Sequence, residues 1–73
     1  SLKMVGSLKS KTDVWALLVD SNGIINKVRK GDFVGKNYGQ VISIKDTQVI
    51  ILEKISDHRG GWFGQRHVVT LEK

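Results

Sequence analysis

The residues able to do chemistry in this 73-residue chain are few. Asp57, His58 and His67 could in principle form an acid–base or metal cluster, because imidazole and carboxylate exchange protons and ligate borderline metals. Their spacing argues otherwise: two His nine positions apart without a third ligand fit no zinc pattern, and Asp57-His58-Arg59-Gly60-Gly61 has the composition of an exposed loop. Gly35-Lys36 suggests a phosphate cradle. A P-loop, however, separates its glycines by four residues and follows its Lys with Ser or Thr. Here three residues separate Gly31 from Gly35, and Asn37 follows Lys36. No G-x-G-x-x-G opens a helix, and none of Ser1, Ser7, Ser10, Ser21, Ser43 and Ser56 lies in a nucleophile elbow. The absence of Cys removes thiol nucleophiles, disulfides, Cys-ligated zinc and iron–sulfur clusters together. The expectation is a binding domain with no catalysis, no cofactor and no metal.

Charge narrows the kind of binding. Twelve Lys and Arg against seven Asp and Glu give a net charge of +5, yet 40% of positions are hydrophobic and only 26% charged, so the chain is no disordered basic tail. A small basic β-barrel that binds nucleic acid is the general alternative to a protein-interaction module. The aromatics argue against it. Stacking platforms need exposed rings on strand faces beside cations. Trp15 instead sits in the most apolar segment and is expected in the core, while Phe33, Tyr38, Trp62 and Phe63 fall in or near loops. No stretch approaches the about 18 apolar residues of a membrane helix, and the first twenty residues hold no apolar signal region. A start at Ser1 without Met leads us to expect a piece of a longer protein, with one domain over residues 1–73.

The elements that must hold these residues read as strands. Nine Val and seven Ile make up most of the apolar set, Ala occurs once and Pro is absent, a bias that suits a pleated surface. Residues 13–19 place Trp15, Leu17 and Val19 on one face and Val14, Ala16 and Leu18 on the other, as a central strand would. Asn22-Gly23 predicts a type I′ hairpin turn, returning through residues 24–29 with Ile25, Lys27 and Arg29 on the wet side. Asp46-Thr47 predicts a second hairpin between residues 40–45 and 48–54, and residues 2–8 and 67–71 add a strand at each end. Six or seven short, mostly antiparallel strands imply an all-β sandwich or barrel. Gly31, Gly35 and Gly39, with Trp15 and Trp62, are expected to serve structure, at least one of the three glycines standing at positive φ.

Taken in order, Leu2-Lys3-Met4-Val5-Gly6, Trp15-Ala16-Leu17, Gly23, Val28, Gly31-Asp32-Phe33-Val34-Gly35, Asn37-Tyr38-Gly39, Ile44, Leu52-Glu53, Gly61-Trp62, Arg66 and Leu71 form a pattern over nearly the whole chain. The pattern resembles the C-terminal periplasmic domains of the PilP family of type IV pilus lipoproteins. The resemblance implies a small β-sandwich related to the homology-region domain of the type II secretion C component. It also implies an adaptor role: binding to the periplasmic domains of the secretin PilQ, and to PilN and PilO through an N-terminal segment absent from this sequence. A periplasmic location follows, with a lipid anchor, also absent here, tethering the full protein to the inner membrane. The family tends to carry an acidic residue shortly after the Trp of its Gly-Trp pair; Phe63, Gly64 and Gln65 stand there instead, which takes away the expected partner of Arg66.

The partner surface follows from edges and charge. The first strand is terminal in sequence, with no close hairpin partner expected, so it is the expected open edge for a partner strand, offering Lys3, Val5, Ser7, Lys9 and Lys11. The rival group is Lys27, Arg29 and Lys30 on the return strand of the first hairpin. The domain is expected to act as a monomer, and charge reversal at Lys3 and Lys9 to weaken binding more than at Lys27 and Lys30.

Overall fold

A computed structural model describes residues 2–34 and 39–72, so the expectations for Gly35, Lys36 and Tyr38 lie outside the described residues. The chain forms β1 (Lys3–Lys9), β2 (Val14–Val19), β3 (Ile25–Arg29), β4 (Phe33–Val34), β5 (Gly39–Ile44), β6 (Gln48–Ser56) and β7 (Trp62–Thr70), with no helix among the described residues. All neighbours pair antiparallel, in two sheets of order β1-β2-β3 and β4-β5-β6-β7. The all-β sandwich expected from the β-branched excess is the fold found.

The core lies between the sheets. Met4, Ala16, Leu18 and Val28 come from the first, and Val41, Val49, Ile51 and Val69 from the second. Alternation explains the choice: with Ala16 and Leu18 turned inward on β2, Trp15, Leu17 and Val19 must point away from the second sheet. Two bulges, at Val5 and Ile42, each insert one extra residue and bend β1 and β5 around this core.

Turn chemistry sets the connections. The first hairpin is wider than a type I′ turn: only Gly23 of its loop has positive φ, at 79°. Asp20 decides this, because its Oδ1 accepts the Asn22 and Ile24 N–H groups at 2.9 and 3.0 Å while its carbonyl accepts from Gly23 at 3.0 Å. The carboxylate thus holds Asn22 out of the left-handed region and leaves Gly23 to close the loop. Asp46-Thr47 makes the expected short connection, closed by Lys45 N–H to the Gln48 carbonyl at 2.8 Å.

The chain crosses between sheets at residues 30–33. Gly31, at φ 98°, donates to the Val41 carbonyl at 2.7 Å, Val41 N–H returns to Asp32 at 2.8 Å, and the Asp32 carboxylate accepts from Arg29 N–H at 2.9 Å.

The last strand departs from expectation. β7 begins at Trp62, five residues before the expected start, so Trp62 and Phe63 are strand residues. Asp57 makes this possible: its Oδ1 accepts from Arg59 and Gly61 N–H at 2.7 and 2.9 Å, compressing residues 57–61 into a tight loop that returns the chain directly to β6. β6 and β7 then run together for nine pairs, from Gln48–Thr70 to Ser56–Trp62. Their far end projects past the core as a ribbon. Accordingly the accessible surface is 5526 Å², above the roughly 4,500 Å² expected of a compact chain of this mass.

Candidate partner-binding surface

The outer face of the three-stranded sheet is built by register. Lys3, Val19 and Ile25 form one row across it, Gly6, Leu17 and Lys27 the next, and Leu8, Trp15 and Arg29 the third. A half-buried apolar spine of Trp15, Leu17 and Val19 therefore runs between two edges that carry cations. Beyond the third row, Lys9 pairs with Val14, Lys11 lies in the turn joining β1 to β2, and Lys30 follows Arg29. Lys9, Lys11, Arg29 and Lys30 thus gather at one end of the sheet. The Arg29 guanidinium lies 3.9 Å from Asp13, and Lys3 Nζ lies 3.8 Å from Glu72; both pairs are solvent-exposed and hold little energy.

Of the two groups of candidate residues, separated by about twenty positions in sequence, Lys3 on one edge and Lys27 and Arg29 on the other are the flanks of a single face, while Lys9, paired with Val14, takes the inner side with Ser7. Sequence reasoning treated them as rivals because strand register is not visible residue by residue. The signal that joins them is the hairpin order: β2 lies between β1 and β3, so both neighbours of an apolar central strand must share its outer surface.

Not every expected residue points there. Ser7 pairs with Ala16 on the inner side, and its hydroxyl reaches the Asp46 carbonyl at 3.5 Å. Val5 is the bulge residue. β1 is an edge strand, but it does have a close hairpin partner, β2. Its open side is also partly closed: Met4 bridges Leu71, and Glu72 N–H donates to the Met4 carbonyl at 2.9 Å. The C-terminal residues return to this edge because Leu71 packs on the core beside Met4.

Trp15 is not a core residue. It is half-buried on the outer face, with Lys27 Nζ 5.3 Å from its ring centroid, within cation–π range. The two-sided apolar pattern of β2 left the inward face open, and the small Ala16 beside Leu18 fills the narrow space between sheets where an indole would not fit. Trp15→Ala should therefore cost about 1–2 kcal/mol in thermal unfolding, below the 3–5 kcal/mol of a buried Trp. A loss matching that of a core truncation would contradict this placement. With Trp15 on a strand face beside Lys27 and Arg29, and Trp62 and Phe63 in β7, the expected placement of the rings in core and loops does not hold, so the aromatics no longer argue against nucleic acid.

Gly31 stands at positive φ, whereas Gly39 does not: a Cβ there would lie 2.8 Å from Ile51 Cγ2 and 2.8 Å from the Val34 carbonyl oxygen. Trp62 is 65% exposed. Asp57 and His58 occupy the β6–β7 loop, while His67 pairs with Ile51, five ladder steps along from Ser56–Trp62 and roughly 17 Å away. Among the described residues no three His, Asp or Glu side chains converge on a possible metal position.

The family model for PilP, pilus assembly protein, matches residues 1–71. The chain belongs to the PilP family. The type IV pilus inner membrane component PilP of Pseudomonas aeruginosa is 30% identical over all 73 residues of this chain, which span 41% of that protein's length. A solved domain of the type IV pilus biogenesis lipoprotein PilP from the same organism matches with a TM-score of 0.84 at 31% identity, covering 96% of this chain and 79% of that one. A domain of the Neisseria meningitidis PilP pilot protein matches with a TM-score of 0.78 at 31% identity, covering 96% and 61% of the two chains. PilP is a family of assembly proteins, not enzymes, in keeping with a sequence that holds no activated nucleophile. Nothing in this relationship favours the nucleic-acid alternative.

Proposed function

We propose that this PilP-family domain is a monomeric periplasmic adaptor of type IV pilus assembly, and that the outer face of its three-stranded sheet receives the periplasmic domains of the secretin PilQ. In the longer protein, of which residues 1–73 are read as one domain, a preceding segment would bind PilN and PilO and a lipid would tether it to the inner membrane. The observation that carries the reading is the apolar spine of Trp15, Leu17 and Val19 flanked by Lys3, Lys27 and Arg29, with Lys9, Lys11 and Lys30 at one end. An apolar centre supplies contact area, and surrounding cations speed encounter with an acidic partner.

Charge reversal at Lys3, Lys27 and Arg29 together should slow association with the secretin's periplasmic domains by about tenfold at low salt, with the difference shrinking as ionic strength rises. The same change at Lys45 and Lys54 should leave the rate within about twofold, because neither residue lies on this face. Surface-plasmon kinetics measures both, and nuclear magnetic resonance titration maps the face. Shifts confined to β5–β7, with β1–β3 silent, would overturn the assignment.

A further inference from the structure

The opposite side of the molecule carries a second surface that the adaptor reading does not use. β7 hydrogen-bonds to β6 through nine consecutive pairs without a bulge, and it is the last strand of its sheet. It contains no Pro, and no register shift twists its free side away. Along residues 62–70 no described strand pairs with its free side, the bridge from Met4 reaching only Leu71 beyond its end, and a long open edge is what folded proteins ordinarily avoid, because its N–H and C=O groups template another strand.

The face beside this edge is equally unguarded. Alternation puts Trp62, Gly64, Arg66 and Val68 of β7 on the outer side of the sheet, opposite Ser56, Lys54, Leu52 and Ile50 of β6. Gln40 and then Phe33 continue the Leu52 row across β5 and β4. The result is a shallow apolar groove in which Phe33 is 72% and Trp62 65% exposed. Leu52 leans toward Gly64, where a Cβ would meet its Cδ1 at 3.1 Å, so the missing side chain leaves a hollow floored by Leu52 between Trp62 and Arg66. The charged residues of this outer face, Lys54 and Arg66, are both cations, and no Asp or Glu stands in its rows.

We infer that β7 accepts an added strand from an acidic partner protein, whose apolar side chain fills the hollow over Gly64 and whose carboxylates, two residues to either side, meet Arg66 and pass beside Trp62 and Lys54. Backbone pairing along the edge supplies affinity, and the alternation of side chains supplies selection. A second copy does not match this chemistry: of the edge strands, β1 bears Lys3 and Lys9, β3 bears Lys27 and Arg29, β7 itself bears Arg66, β4 has only Phe33 and Val34, and none supplies a carboxylate. This surface lies on a different sheet from the one assigned to the secretin, so either assignment can fail alone.

A capped Thr-Thr-Glu-Thr-Val-Thr-Glu-Thr-Thr peptide, whose Val and two Glu share one face of an extended strand, titrated to millimolar concentration at neutral pH, is the direct probe. Amide exchange should slow at alternate residues of β7, and nitrogen-15 shifts should move for residues 62–69, Phe33 and Leu52, with β1–β3 unchanged. The same peptide with Lys in place of both Glu, and one with Pro in place of the Thr before Val, should bind at least tenfold more weakly. Lys54→Glu with Arg66→Glu, both on exposed side chains, should weaken the acidic peptide about tenfold while leaving circular dichroism unaltered, and Gly64→Val should block the hollow. Equal binding of acidic and basic peptides, or no slowing of exchange along β7, overturns the inference. So would shifts of the same residues with anionic phosphatidylglycerol vesicles but not with the peptide, which would make the face a membrane contact.

Discussion

Leu18→Ala is expected to remove about 3–5 kcal/mol of stability. A chain of this length has about 4–11 kcal/mol in total, so the variant should be largely unfolded at 37 °C and its urea midpoint should fall by more than half. The cause is position. Leu18 is fully buried, pairs with Met4 on β1 and Asn26 on β3, and lies within the inner layer that the second sheet covers with Val41, Val49 and Ile51. With so few core residues, neighbours cannot collapse into the space a truncated leucine leaves. Its neighbour Leu17 provides the internal control. One residue earlier it faces outward beside Lys27, and Leu17→Ala should cost only about 1 kcal/mol. Equal midpoints for the two variants would mean that β2 does not present Leu18 to the core.

Gly39→Ala is expected to cost about 1–3 kcal/mol although its φ is ordinary, because the new methyl would press on Ile51 and on the Val34 carbonyl. A side chain could rotate aside; the backbone oxygen of the paired strand cannot. Gly31→Ala should also destabilise, by about 1–2 kcal/mol, for a different reason: φ of 98° strains any residue with a Cβ, while the space around it is open. Asparagine separates the two mechanisms. Gly31→Asn should recover part of the loss, since Asn tolerates positive φ, whereas Gly39→Asn should be worse than Ala. Thermal unfolding of the four variants measures this, and the opposite ranking at either position would reverse the assignment of steric and conformational cause.

Fold class was legible in the sequence because it follows from local chemistry. Sixteen Val and Ile, turn residues at regular spacing and the absence of any helical period could be satisfied only by short paired strands. The exclusion of thiol chemistry and of a P-loop was legible for a similar reason, since a missing Cys and an unsuitable glycine spacing are properties of the string itself. Orientation was not. β2 is apolar on both faces, so its alternation was equally consistent with Trp15 or Leu18 inside, and only the second sheet, closing over Ala16, chose between them. Register was also out of reach: Lys3 and Lys27 become parts of one surface because β2 pairs with β1 on one side and β3 on the other, a relation between distant segments that no local pattern encodes. The Asp57 loop shows the same limit at short range. Its composition announced a turn, but the two hydrogen bonds that let β7 start at Trp62, and so bring a Trp and a Phe onto an exposed sheet edge, depend on a backbone geometry that exists only once β6 and β7 have paired.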